Sequence, residues 1–160
     1  MLHDRWVRDG CLGLGEIIND RYSERDTVLS HWLSHEGDMV SILHPIQWYE
    51  GDHAKIIEDA DKVIYLQRED TLQQTVSYAI ASKEQKWMDE RNPYTEKIYE
   101  DELDESYKVL HMQHDIIQQL YDRYPSEVLT LEKHFTHNPY KNRYEYEGDW
   151  KPQENLWLNQ

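Results

Sequence analysis

The alternation of apolar and polar positions changes period most clearly between Lys62 and Trp87. Val63, Ile64, Tyr65 and Leu66 form a β-branched and aromatic run bounded by Asp61 and Arg68, of strand length and too short for a buried helix. A helical period follows, with Leu72, Val76, Ile80, Lys83 and Trp87 on one face. Asp70 stands at the N-cap position, with Gln73 three residues on as its capping-box partner. The pattern predicts a buried strand feeding directly into a helix, the join found in parallel sheets. Arg68 leaves the carboxyl end of that strand just before the helix N-terminus, and Ser77 lies about two turns into the helix, so that both can face one anionic group.

Upstream, Leu2, Trp6 and Val7 have partial helical spacing, and Gly10, Gly13 and Gly15 predict a flexible turn before Ile17 and Ile18. Residues Ser23 to Glu36 read as a helix with Val28, Leu29, Trp32 and Leu33 inward and Gly37 as its stop. Met39 to Leu43 reads as a short strand ending at His44-Pro45, and Trp48 to Ala60 as a helix with Ala54, Ile56 and Ile57 inward. Strand, helix and strand make an expected βαβ unit with a right-handed crossover. Downstream of Asn92-Pro93, the longest helix has the inner stripe Tyr99, Leu103, Tyr107, Leu110, His114, Ile117 and Tyr121. Pro125 ends it. The acidic run Glu100, Asp101, Glu102, Asp104 and Glu105 in its first half favours the helix dipole and reads as a solvated face. A further strand is expected over Glu127 to Leu131, and the aromatic-rich tail from His134 to Gln160 reads as ordered loop.

The 160 residues form one expected α/β domain, long enough to bury a core to which six Trp and twelve Tyr contribute. A net charge of -15 repels nucleic acid and anionic membrane, so neither is expected as a partner, and an anionic ligand needs a locally basic spot. Cys11 is the only cysteine, so no intrachain disulfide can form, and it reads as a small core residue. The chain contains no apolar run of membrane-spanning length and no signal-peptide core after Met1, and a cytoplasmic location is expected. The nine histidines include the pairs His31 and His35, His111 and His114, and His134 and His137; each is only a pair, and no metal site is expected.

The Arg68-to-Ser77 segment at a strand-to-helix junction resembles the 3′-phosphate-binding segment of sulfotransferases that use 3′-phosphoadenosine 5′-phosphosulfate (PAPS), with a spacing one residue longer than the family's. Three further pieces follow in the family's order. His44, at the end of the strand before, matches the family's catalytic histidine, and Ile42 replaces the lysine that precedes it there. Val128 to Phe135, followed by Asn138-Pro139, resembles the late Y-E-D-L strand and its trailing D-P, to which a structural role is assigned. Arg143 to Lys151 resembles the segment ending in G-D-W-K: Arg143, Gly148, Asp149, Trp150 and Lys151 match, while Tyr144 and Glu145 replace a lysine and a glycine.

The resemblance implies an incomplete P-loop-type parallel sheet flanked by helices, without the family's first strand and its 5′-phosphosulfate loop, for which no sequence is present. A native start upstream, a partner that fills the gap and a rearranged sheet all remain open at this point. The implied reaction transfers a sulfonate from PAPS to a hydroxyl or amine of a small-molecule or carbohydrate acceptor. In it His44 takes the acceptor proton, Arg68 and Ser77 hold the 3′-phosphate, and Arg143 assists. Nothing in the chain replaces the missing loop in neutralising the transferred group, so inactivity of the chain by itself is also an expectation. The alternative is a non-catalytic acidic module that binds a nucleotide or a protein, and an open sheet seam leaves room for a homo-oligomer or a covering partner.

Overall fold

The computed structural model describes residues 12–14, 36–37, 39–41, 54–84, 96–134 and 144–160. The chain divides into two compact units, Met1–Val63 and Ile64–Gln160. In the first, strand β1 (Leu12–Leu14) pairs in parallel with β2 (Met39–Ser41), Gly13 lying opposite Val40, and helix α1 spans Ala54–Asp59. Strand β1 falls where three glycines predict a flexible turn. Glycine weakens strand propensity without forbidding the conformation, and backbone pairing with a distant segment cannot be read from local pattern. Gly37, the expected helix stop, has φ 143, a backbone conformation that side-chain-bearing residues rarely adopt. The predicted helix before it lies outside the described residues. Within α1, Ile56 is buried as predicted.

The second unit is built on β3 (Ile64–Gln67) and β4 (Glu127–Thr130), paired in parallel with Ile64 opposite Glu127 and Gln67 opposite Thr130. Parallel neighbours need a long crossover. Here it contains helix α2 (Thr71–Glu84) and helix α3 (Glu100–Arg123), and a short helix α4 (Leu131–His134) follows β4. The α/β class with parallel pairing therefore holds. The strand expected over Glu127 to Leu131 ends one residue early, because Leu131 already begins α4.

Strand β3 begins one residue after the predicted apolar run and is not buried throughout: Tyr65 is buried, whereas Leu66 is 57% exposed. The Tyr65 hydroxyl lies 2.8 Å from the Tyr124 carbonyl and 3.2 Å from the Leu120 carbonyl, its one proton serving both. Both carbonyls lie at the end of α3, where the Leu120 carbonyl also accepts the Tyr124 amide at 2.8 Å. Burial pushes the Tyr65 phenol up from its ordinary value, and Tyr121 and Tyr124 add to the shift. Tyr121 meets Tyr65 edge to face, with ring centroids 5.4 Å apart.

Asp70 caps α2 as its position predicts: its Oδ1 accepts the Gln73 amide at 2.8 Å, and its carbonyl accepts the Gln74 amide at 3.0 Å. Asp70→Ala is expected to cost about 1 kcal/mol, read as a lower urea midpoint at unchanged slope. Val76 and Ile80 are buried as predicted, joined by Thr71, Thr75 and Ala79. The buried threonines are tolerated because their hydroxyls have partners: Thr75 Oγ1 donates to the Thr71 carbonyl at 2.8 Å, and Thr71 Oγ1 accepts the Leu156 amide at 3.1 Å.

Helix α3 buries Leu103, Tyr107 and Leu110 of the predicted stripe, whereas Tyr99 is 54% exposed and sits at the N-cap. The acidic run does more than face solvent. Glu102 accepts the Tyr99 amide at 2.9 Å, which holds its carboxyl below the ordinary range, and pairs with Lys83 at 3.0 Å, tying the end of α2 to the start of α3. Asp104 accepts the Trp150 indole N–H at 2.8 Å.

Candidate functional site

The site is built where β3 ends. Its strand neighbour β4 ends beside it, since Gln67 is registered with Thr130, so the next residues of both strands emerge together. Glu132 thereby reaches across to the β3–α2 turn. Its Oε2 accepts the Glu69 amide at 2.8 Å, and its Oε1 lies 3.4 Å from Arg68 Nε, with the Arg68 side chain only 14% exposed. Burial pushes the Glu132 carboxyl up, but the bonds from backbone amides and from Arg68 outweigh it, and the net direction is down. Lys133 then pairs with the Glu69 carboxylate at 3.1 Å.

A cavity of about 60 Å³ opens beside this turn, lined by Leu66, Arg68, Gln74, His114, Leu156 and Leu158 among others. Small-molecule sites typically run to about 300 Å³ or more, so this space has room for a single small group and not for a whole nucleotide, and Leu110 and Ile117 add to its apolar lining beside the one charged side chain, Arg68. Its wall is completed by the C-terminal segment, which runs as a strap between α3 and the β3–α2 turn. On the turn side, the Leu156 amide donates to Thr71, the Leu158 amide to Gln67 Oε1 at 3.0 Å, and the Trp157 indole N–H to the Glu69 carbonyl at 2.9 Å. On the α3 side, Tyr107 bonds the Glu154 backbone, His111 Nε2 meets the Glu154 carboxylate at 2.8 Å, His114 Nε2 meets the Trp157 carbonyl at 3.0 Å, and the Gln118 Oε1 accepts the Asn159 amide at 2.9 Å. The expectation for the tail is packing through aromatic anchors; within residues 144–160, Tyr144, Tyr146 and Trp150 do pack on a core cluster, but the buried residues are Leu156 and Leu158, and Trp157 is 44% exposed.

Of the predicted site residues, Arg68 lines the cavity, whereas Ser77 is half-buried on α2 and is not among the lining residues, so the two are not brought together at this cavity. At a rise of about 1.5 Å per residue, Ser77 stands roughly 9 Å along the axis from the first residue of α2. Gln74 lies between the two on the cavity wall, one helical turn before Ser77. His44 and Arg143 lie outside the described residues. The segment that follows Arg143 packs on the helix that carries Ser77: Tyr144, Tyr146 and Trp150 cover the cluster of Val76, Ala79, Ile80, Ile98 and Leu103. A Cβ at Gly148 would meet the phenol end of Tyr146, so a larger residue there would require that ring to move.

Glu132 and Gln74 are the site residues that pattern reading misses. The signal that could have found Glu132 is the parallel pairing of two strands that each end in charged residues, Arg68-Glu69-Asp70 and Glu132-Lys133. Among the described residues, no group of three or more histidine, cysteine or acidic side chains is arranged to hold a metal ion, and no helix is long and apolar enough to cross a membrane. No family model, curated protein or solved structure matches this chain.

Proposed function

We propose that the chain is a sulfotransferase-like protein whose β3–α2 junction receives the 3′-phosphate of PAPS or of its product, adenosine 3′,5′-bisphosphate. The observation that carries this reading is the placement of Arg68 at the carboxyl end of a parallel strand, beside a small cavity and ahead of the capped N-terminus of α2. The packing of the 144–150 segment against α2 adds support, since in the resemblance that segment serves the same phosphate.

PAPS supplies an activated sulfonate. The acceptor oxygen or nitrogen attacks sulfur as the bond from sulfur to the bridging phosphate oxygen breaks; His44 takes the acceptor proton, and the electron pair leaves with adenosine 3′,5′-bisphosphate. Arg68 holds the 3′-phosphate at the cavity, and Ser77, one helical turn beyond the cavity wall, and Arg143 are the further contacts that the resemblance implies. No residue of the chain is assigned to the 5′-phosphosulfate, so nucleotide binding is the property to measure first and transfer the second.

Calorimetric titration with adenosine 3′,5′-bisphosphate tests the reading. Binding is expected in the wild type, and Arg68→Ala is expected to weaken it by about 10- to 100-fold, the loss of one charge-assisted contact. Equal affinity in the variant, or no binding by a folded wild type, defeats the assignment. The second reading, a non-catalytic acidic module that binds a nucleotide or a protein, is favoured by one observation: Arg68 is already engaged by Glu132. Nucleotide binding without sulfonate transfer to any of a panel of alcohols, phenols, amines and sugars decides for it.

A further inference from the structure

The contact between Glu132 and Arg68 has a definite direction. The Glu132 carboxylate approaches Nε, the inner nitrogen of the guanidinium, and among the described residues no hydrogen bond or ion pair is made by the two terminal nitrogens. The other carboxylate oxygen is held by the Glu69 amide at 2.8 Å, one residue along the same turn, so Glu132 cannot swing without releasing the backbone. Its own position follows from α4, which begins immediately after β4. Arg68 is thus held at Nε by one bond to Glu132, whose other oxygen holds the backbone of the next residue, and Arg68 lines the cavity beside this turn.

We propose that Glu132 is a positioning residue for the anion site: it fixes Arg68 through Nε and the β3–α2 turn through the Glu69 amide, presenting the two terminal guanidinium nitrogens to the ligand's 3′-phosphate. The inference rests on the proposed function. A long arginine side chain loses much rotamer freedom when it binds a ligand, and one already held in place loses less. The geometry also separates Glu132 from a competitor for the phosphate. A competing carboxylate would take the terminal nitrogens in the two-pronged manner that a phosphate uses, whereas this one takes the single inner N–H. The charge of Glu132 partly offsets that of Arg68, and the net benefit is therefore a matter of geometry more than of field.

The test compares adenosine 3′,5′-bisphosphate with adenosine 5′-phosphate, which lacks the group that Arg68 is assigned to hold. Glu132→Ala is expected to weaken the bisphosphate by about 10-fold, the size of one lost oriented contact, and to leave the monophosphate unchanged. Glu132→Gln keeps an oxygen for the Glu69 amide, folds as the wild type does, and is expected to lose less than Glu132→Ala. In the nitrogen-edited spectrum, the Arg68 Nε–H is expected to be protected from solvent exchange in the wild type and unprotected in Glu132→Ala. Tighter bisphosphate binding in either variant would identify Glu132 as a competitor and overturn the proposal, and equal losses for both nucleotides would reduce its role to stability. A wild type that loses the bisphosphate with Arg68→Ala but not with either Glu132 variant overturns this inference alone. A folded wild type that binds neither nucleotide overturns the site itself.

Discussion

Leu103→Ala is expected to destabilise the chain by about 3 to 4 kcal/mol, within the range of large-to-small core substitutions. Leu103 is fully buried where α2 meets α3, against Val76, Ala79, Ile80 and Ile98. Half-buried Leu72, Tyr144, Tyr146 and Trp150 close the same cluster. Three separate stretches of sequence contribute to that cluster, so the space Leu103 leaves is not closed by moving a single element. Folded domains are stable by only about 5 to 15 kcal/mol, and the loss is a large share of that. Urea unfolding followed by circular dichroism reads it as a lower midpoint at unchanged slope. Met112→Ala, on the outer face of α3 at 50% exposure, is the control and is expected to change stability by less than about 0.5 kcal/mol. If Leu103→Ala behaves like the control, the packing of the 144–150 segment on α2 is wrong, and with it one support for the proposed function.

The parts of this architecture visible in the sequence are those whose cause is local. The switch from the Ile64–Leu66 run to a helical period places the β3–α2 join, and Asp70 marks the first turn of α2 because capping depends on residues only three apart. The long stripe through Leu103, Tyr107 and Leu110 is legible for the same reason. Features that depend on distant pairing are not. Arg68 and Glu132 are 64 residues apart in the chain, and only the β3–β4 register brings them together. Buried Thr71 and Thr75 look polar in a hydrophobicity pattern; their burial becomes acceptable through a carbonyl one turn back and an amide supplied by the tail. The acidic start of α3 reads as solvated surface, yet Glu102 and Asp104 are held by Lys83 and Trp150 from elsewhere in the sequence. The candidate site is of the second kind. Its arginine is visible in the sequence, but the carboxylate, the amide and the strap that shape its surroundings come from tertiary structure.

That strap makes the second large effect. Leu156→Asp is expected to cost about 3 kcal/mol, the sum of a lost apolar burial and a carboxylate placed where Tyr107 and Leu110 offer it no partner. Release of the segment sets an upper limit to the cost, because the charge escapes to water once the strap lifts. The consequence then appears at a distance. His111 bridges the Glu154 carboxylate at 2.8 Å and Asp115 at 3.3 Å, with the Tyr107 and His114 rings beside it. The hydrogen bond to Glu154 raises the His111 pKa above its ordinary value, against a smaller opposing effect of burial, and Asp115 adds to the rise. A raised histidine stabilises the folded state fully below its unfolded pKa of about 6.5 and loses that contribution as pH climbs through the folded value. The wild-type strap is therefore expected to hold best in mild acid and to loosen toward alkaline pH. In Leu156→Asp the Glu154 partner is no longer fixed, and the His111 titration followed by proton resonance is expected to fall back toward about 6.5. Hydrogen exchange at the Gln67-to-Thr71 turn is expected to quicken together with that fall, because Gln67, Glu69 and Thr71 each lose a bond from the strap. A His111 pKa that stays raised in the variant would show that Asp115 alone sets it, and that the strap and the anion site are not coupled through α3.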